Sequence, residues 1–160
     1  MRTSVSLLIL FSFFARISEA QTVLIPGDLA IIFIQTDDSP GDDFAFVTFV
    51  DLAANTEIFF TDCGTYSGGF RIGGCAEGAQ KYTAPAGGIA AGTVIQFSAD
   101  LNFSDYADIR IFGVFSLSET GDQILAFQDS DPGNIIVAGD EPSFIFAINA
   151  ASTAFTGSVN

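Results

Sequence analysis

Apolar residues in this chain recur at every second position, in short runs broken by glycine, proline, aspartate and asparagine. That period belongs to half-buried β-strands rather than helices. Eight runs fit it: LAIIFIQ (29–35), FAFVTFV (44–50), EIFFT (57–61), QKYTA (80–84), TVIQFS (93–98), IRIFGVF (109–115), QILAFQ (123–128) and SFIFAIN (143–149). LAIIFIQ is apolar almost throughout, the pattern of a strand covered on both faces. TVIQFS alternates instead, with Val94 and Gln96 on one side and Ile95 and Phe97 on the other. The connectors SPGDD and DPGN put glycine behind proline, which suits tight turns. APAGGIAAG (84–92) is too glycine-rich for a helix and is expected to cross from one sheet to another. No capped helical period of ten or more residues occurs after the leader, so the spacing predicts an all-β antiparallel sandwich.

The N-terminus breaks this pattern. Arg2 is followed by VSLLILFSFF, an apolar run of about ten residues, too short to span a bilayer and suited to a signal peptide. Small Ser18 and Ala20 place the expected cut before Gln21. Residues 1–20 then form the leader and 21–160 one secreted domain. At the other end Ala154 and Phe155 either begin a final edge strand or mark a fragment of a longer product. No second long apolar stretch exists to span a membrane.

Charge narrows the partners. The full chain carries five basic and nineteen acidic residues, net −14. Losing Arg2, Arg16 and Glu19 leaves Arg71, Lys81 and Arg110 against eighteen acids, net −15. Such a field repels phosphate backbones, which argues against nucleic acid. It attracts cations and cationic polymer, mineral or protein surfaces. Two cysteines, Cys63 and Cys75, flank the glycine-rich GTYSGGFRIGG, and in an exported chain a disulfide is the default. A zinc site built on them lacks partners, since the chain has no histidine.

Longer stretches carry a resemblance. GDLAIIFIQTDDSPGDDFAFVTFVDLAANTEIFFTDCG, then GGFR, EGAQKYTAPAGGIAAGTVIQF and SETGDQILAFQ, resemble the lamin-tail-like β-sandwich domains of secreted multidomain proteins. The resemblance runs from Gly27 to Ile148 and implies an immunoglobulin-like antiparallel β-sandwich. It implies no catalytic role. The chain departs from that pattern where tryptophans are expected near Gly64 and Tyr82, and where Cys63 replaces an asparagine.

Candidate chemistry is acidic. Asp37, Asp38, Asp42 and Asp43 cluster on one turn and form a candidate calcium site, since hard cations take six to eight oxygens. The plainer reading is a solvated turn. Asp129, Asp131 and Asp140 fall at positions 1, 3 and 12 of an EF-hand-like count, but Asn134 stands where that loop needs glycine. Asn102-Phe103-Ser104 is a glycosylation sequon. Tyr66 and Phe70, in the glycine-rich loop, are candidate binding aromatics, with inward packing as the alternative. Asp62, Glu77 and Glu119 are the acids a glycoside hydrolase would draw on, yet among so many acids some pair meets the required spacing by chance. No nucleophile elbow or phosphate-binding loop occurs. The expected protein is therefore a non-catalytic secreted acidic sandwich, an extracellular binding or matrix component with calcium as its one candidate cofactor. A calcium-dependent adhesion module and a carbohydrate-active hydrolase are the alternatives.

Overall fold

In the computed structural model, residues 20–36, 42–66, 69–70, 79–98, 108–112, 115–118, 121–129 and 143–150 are described. They contain ten strands and no helix: β1 (Leu29–Gln35), β2 (Asp43–Thr48), β3 (Glu57–Thr61), β4 (Thr65–Tyr66), β5 (Gly69–Phe70), β6 (Ala79–Thr83), β7 (Val94–Ser98), β8 (Asp108–Phe112), β9 (Asp122–Gln128) and β10 (Ser143–Ala150). The eight runs read from the sequence are all strands: β1 and β3 keep the bounds read for them, and the ends of the other six move by at most three residues. The two additional strands, β4 and β5, form a two-residue ribbon inside the glycine-rich loop. No helix among the described residues is long and apolar enough to cross a membrane.

The strands form two main antiparallel sheets. The small sheet has order β1-β2-β7 and the large one β10-β9-β3-β6-β8. Residues 84–92 connect β6 of the large sheet to β7 of the small one, as their composition predicts. This crossover is pinned by reciprocal bonds between Leu52 and Ile89: the Leu52 N–H donates to the Ile89 carbonyl (2.8 Å) and the Ile89 N–H to the Leu52 carbonyl (2.9 Å). Gly88 makes that approach feasible. Its φ is +69°, and a Cβ there would lie 2.5 Å from the Leu52 carbonyl oxygen.

Alternation sends one face of each sheet into a shared core, giving a sandwich-like fold. Leu29, Ile31, Phe44, Phe46, Ile95 and Phe97 from the small sheet meet Ile58, Phe60, Tyr82, Ile124, Ala126 and Ile145 from the large one. Phe60 lies 5.0 Å from Phe44 and 4.8 Å from Phe46, ring centre to ring centre, and Tyr82 meets Phe46 edge-on at 5.3 Å. Tilted and edge contacts of this kind suit the ring quadrupole and add to the burial term.

The outer faces differ, and here the run LAIIFIQ departs from its reading as a strand covered on both sides. A bulge between Ile31 and Phe33 shifts the β1 register. It leaves Ile32 53% and Phe33 44% exposed on the outside of the small sheet. The strands covered on both faces are β3 and β9, where outward-facing Phe59, Leu125 and Phe127 are all buried. Phe59 stacks on Phe127 at 5.4 Å, and Phe127 meets Phe144 at 6.4 Å. TVIQFS behaves as its alternation predicts: Ile95 and Phe97 are buried, Val94 and Gln96 exposed. Strand β2 ends at Thr48 rather than Val50, although the Phe49 N–H still donates to the Asp28 carbonyl (2.8 Å), in register with the β1–β2 pair.

Candidate functional site

The carboxylates gather at one end of the two sheets. Asp42 leads into β2, Asp62 follows β3 and Asp122 opens β9. All three reach one irregular segment, 115–118 (FSLS). Its Phe115 and Leu117 side chains point into the core, Phe115 lying 5.6 Å from Phe44 and 5.4 Å from Phe97. The segment pairs with no strand among the described residues, and aspartates accept three of its backbone N–H groups in succession. Ser116 N–H donates to Asp62 Oδ2 (2.9 Å), Leu117 N–H to Asp42 Oδ2 (2.6 Å) and Ser118 N–H to Asp122 Oδ2 (3.2 Å). A hydrogen bond to an ionised acceptor contributes about 1.5–3 kcal/mol, roughly twice a neutral one. The clamp draws Asp42 from the small sheet and the other two from the large sheet, so it ties both layers to the plug that closes this end.

Two further bonds brace the clamp. Gln123 Nε2 donates to the Asp62 carbonyl (2.9 Å), and the Cys63 N–H donates to Thr61 Oγ1 (3.1 Å). Half-buried Asp122 also accepts the Gln123 N–H at Oδ1 (2.8 Å). Its pKa is raised above 3.8, first by desolvation; the bonds from Gln123 and Ser118 oppose the rise and the Asp42 charge adds to it. An acid whose folded pKa is raised holds its proton more tightly folded than unfolded, so it favours folding most in acid. That contribution falls as pH climbs from 3.8 through the folded pKa, then stays level. We therefore expect the stability gap between wild type and Asp122→Asn to move against wild type across that window. Urea unfolding at a series of pH values checks this, and parallel pH curves for the two proteins would refute it.

The opposite end is held by the segment entering β1. Thr22 N–H donates to Thr56 Oγ1 (3.0 Å), and Leu24 N–H to Gln128 Oε1 (2.8 Å). Gln128 Nε2 donates to the carbonyls of Thr22 (2.9 Å) and Glu57 (3.0 Å). Beside this knot lies a cleft of about 190 Å³ lined by Gln21, Thr22, Val23, Glu57, Gln128, Asp129 and Ser143. It is smaller than the roughly 300 Å³ at which ligand pockets usually begin. Glu57 Oε1 is paired with Lys81 Nζ at 2.6 Å.

Of the acids singled out in the sequence, those among the described residues serve different places. Asp42 is 7% exposed and bonded to Leu117, whereas Asp43, the next residue, sits on the outward face of β2. Asp129 lies just past the C-terminal end of β9, at the cleft. Asp62 is wholly buried and accepts the Ser116 N–H. Among the described residues no three His, Cys, Asp or Glu side chains are grouped to hold a metal ion. Cys63 is fully buried, and no described cysteine is a free thiol. The backbones of Tyr66 and Phe70 form the β4–β5 ribbon. Residues 1–19 of the leader, Asp37, Asp38, Cys75, Glu77, Asn102, Glu119, Asp131, Asp140 and the end from Ala151 lie outside the described residues, as do the side chains of Tyr66 and Phe70.

Sequence reasoning missed Asp122, Gln123 and Gln128. Each makes contacts to residues far away in the chain, and period-two alternation does not report those. A polar residue at the end of an apolar strand run was the one available signal. No family model, curated protein or solved structure matches the chain.

Proposed function

We propose that this chain is an exported, non-catalytic acidic β-sandwich of the immunoglobulin-like, lamin-tail-like kind, and that it binds cationic extracellular surfaces. The observation that carries this reading is the charge: nineteen acidic residues against five basic ones on a two-sheet scaffold. Its clamp adds support, because the buried carboxylates Asp42 and Asp62 hold backbone N–H groups. The remaining surface acids are then free to act as a field, which raises association rates and favours partners of opposite sign. In the same reading, signal peptidase cuts before Gln21 and Cys63 pairs with Cys75 in the oxidising exterior.

Chitosan and chitin separate charge from polymer shape, since they share a backbone and differ in whether the amines are acetylated. The mature protein should be retained at least ten-fold more on chitosan at low salt. That preference should exceed the preference of an unrelated protein of equal net charge, and it should vanish near 0.5 M salt, where screening is short-ranged. Equal retention on the two polymers, or no advantage over the charge-matched protein, would remove the proposal.

A further inference from the structure

The outward face of the small sheet and the side of β7 that pairs with no described strand form a second candidate surface, which rests on the binding role proposed above. From the strand registers, Ala30, Val47 and Val94 make one row across this face, and Phe33, Ala45 and Gln96 the next, with Ile32 at the bulge. Val94 is 57% exposed, and Ile32 and Phe33 are open as well. A third row, Gln35, Asp43 and Ser98, is polar.

The edges of the two sheets are not equally protected. Strand β1 is bulged and runs alongside β10, which is itself bulged between Phe144 and Phe146. Strand β8 carries Asp108 and Arg110 in its sequence. Charges, bulges and covering neighbours are the usual protections of a sheet edge. Strand β7, VIQFS, has no charged residue, no proline and no register shift, and among the described residues it pairs on one side only, with β2. Its outer backbone groups are a template for one more strand.

Area and charge select the occupant. Three strands about 4.8 Å apart and five residues long present roughly 250 Å². A stable face-to-face dimer needs about 800 Å² per partner. A second copy would also bring another net charge of −14 against this one. Acids bracket the face at both ends. Asp28 precedes β1, and Asp51 accepts the Ala91 N–H (2.8 Å) just ahead of β7. At the far end is Asp43, which faces outward from β2, although its Oδ1 is buried and accepts no hydrogen bond among the described residues. We propose that β7 accepts an extended basic peptide segment of a partner protein as a fourth strand of the small sheet. Its cationic side chains lie on the outward face, the side of Asp43, and its alternate apolar side chains on the inner face beside Ile95 and Phe97.

An octapeptide of alternating lysine and valine tests this on the mature chain, with alternating glutamate and valine as the control. The lysine peptide should slow amide exchange at least ten-fold at alternate residues of 94–98, while the glutamate peptide leaves exchange unchanged. Val94→Lys and, separately, Gln96→Lys should each weaken binding at least ten-fold without lowering Tm, since both side chains are exposed. Protection confined to other strands, or unaltered affinity in both variants, would overturn the proposal. So would protection of 94–98 that grows with protein concentration in the absence of peptide, which would identify a second copy as the occupant. Retention on chitosan without any protection of 94–98 would leave the cationic-surface role standing and remove this inference alone.

Discussion

Phe60→Ala is expected to lower the free energy of unfolding by about 4 kcal/mol, in the range measured for buried phenylalanine truncations. Phe60 is fully buried at the centre of β3 and touches Phe44 and Phe46 on the facing sheet. Its loss opens a cavity between the layers. The neighbouring rings cannot collapse into it without leaving their contacts with Phe97, Phe115 and Tyr82. Typical domains have only about 5–15 kcal/mol to lose. Phe33→Ala, on the exposed face, is the matched control and should cost well under half as much. Urea unfolding of the two variants measures both numbers, and equal losses would mean that the facing-sheet core does not dominate stability.

Reduction of the protein is expected to lower Tm by about 10 °C. Cys63 sits just past β3, where β3 and β6 are joined by the long glycine-rich connection. Glycine lets that connection explore many conformations when unfolded. A bond from Cys63 to Cys75 removes about 3 kcal/mol of that freedom in the chain-entropy model. At this chain length each kcal/mol moves Tm by roughly 3 °C. Scanning calorimetry with and without reductant, beside a Cys63→Ala/Cys75→Ala double variant, gives the measurement. Detection of two thiols in the denatured, unreduced protein would eliminate the bond.

The strands were legible because alternation at this length has one economical meaning: a face to bury. Ile95 and Phe97 against Val94 and Gln96 show it directly, and the glycines of 84–92 announced the crossover between sheets. The distribution of cover over the outer faces was not legible. LAIIFIQ is the more apolar stretch, yet β1 lies at a sheet edge with Ile32 and Phe33 open, while the shorter EIFFT occupies the middle of the large sheet and is buried on both sides. Hydrophobicity records that a residue tolerates burial; strand order decides whether it receives it. The clamp was hidden for a related reason. Asp42 and Leu117 are 75 residues apart, and Asp62 and Ser116 are 54 apart. The aspartate-rich turn at 36–43 drew attention as a cation site because its charges are adjacent in the chain. Of the two described acids there, Asp42 serves as a backbone acceptor and Asp43 faces outward.

The unequal clothing of the two layers gives the molecule a hard side and a soft one. Strands β3 and β9, wrapped on both faces, open only when the whole structure does, whereas β1, β2 and β7 have core on one face alone and breathe at lower cost. A guest that lengthens the small layer therefore stiffens the part that yields first. Occupied molecules would outlast empty ones wherever proteases patrol, so that persistence itself reports engagement.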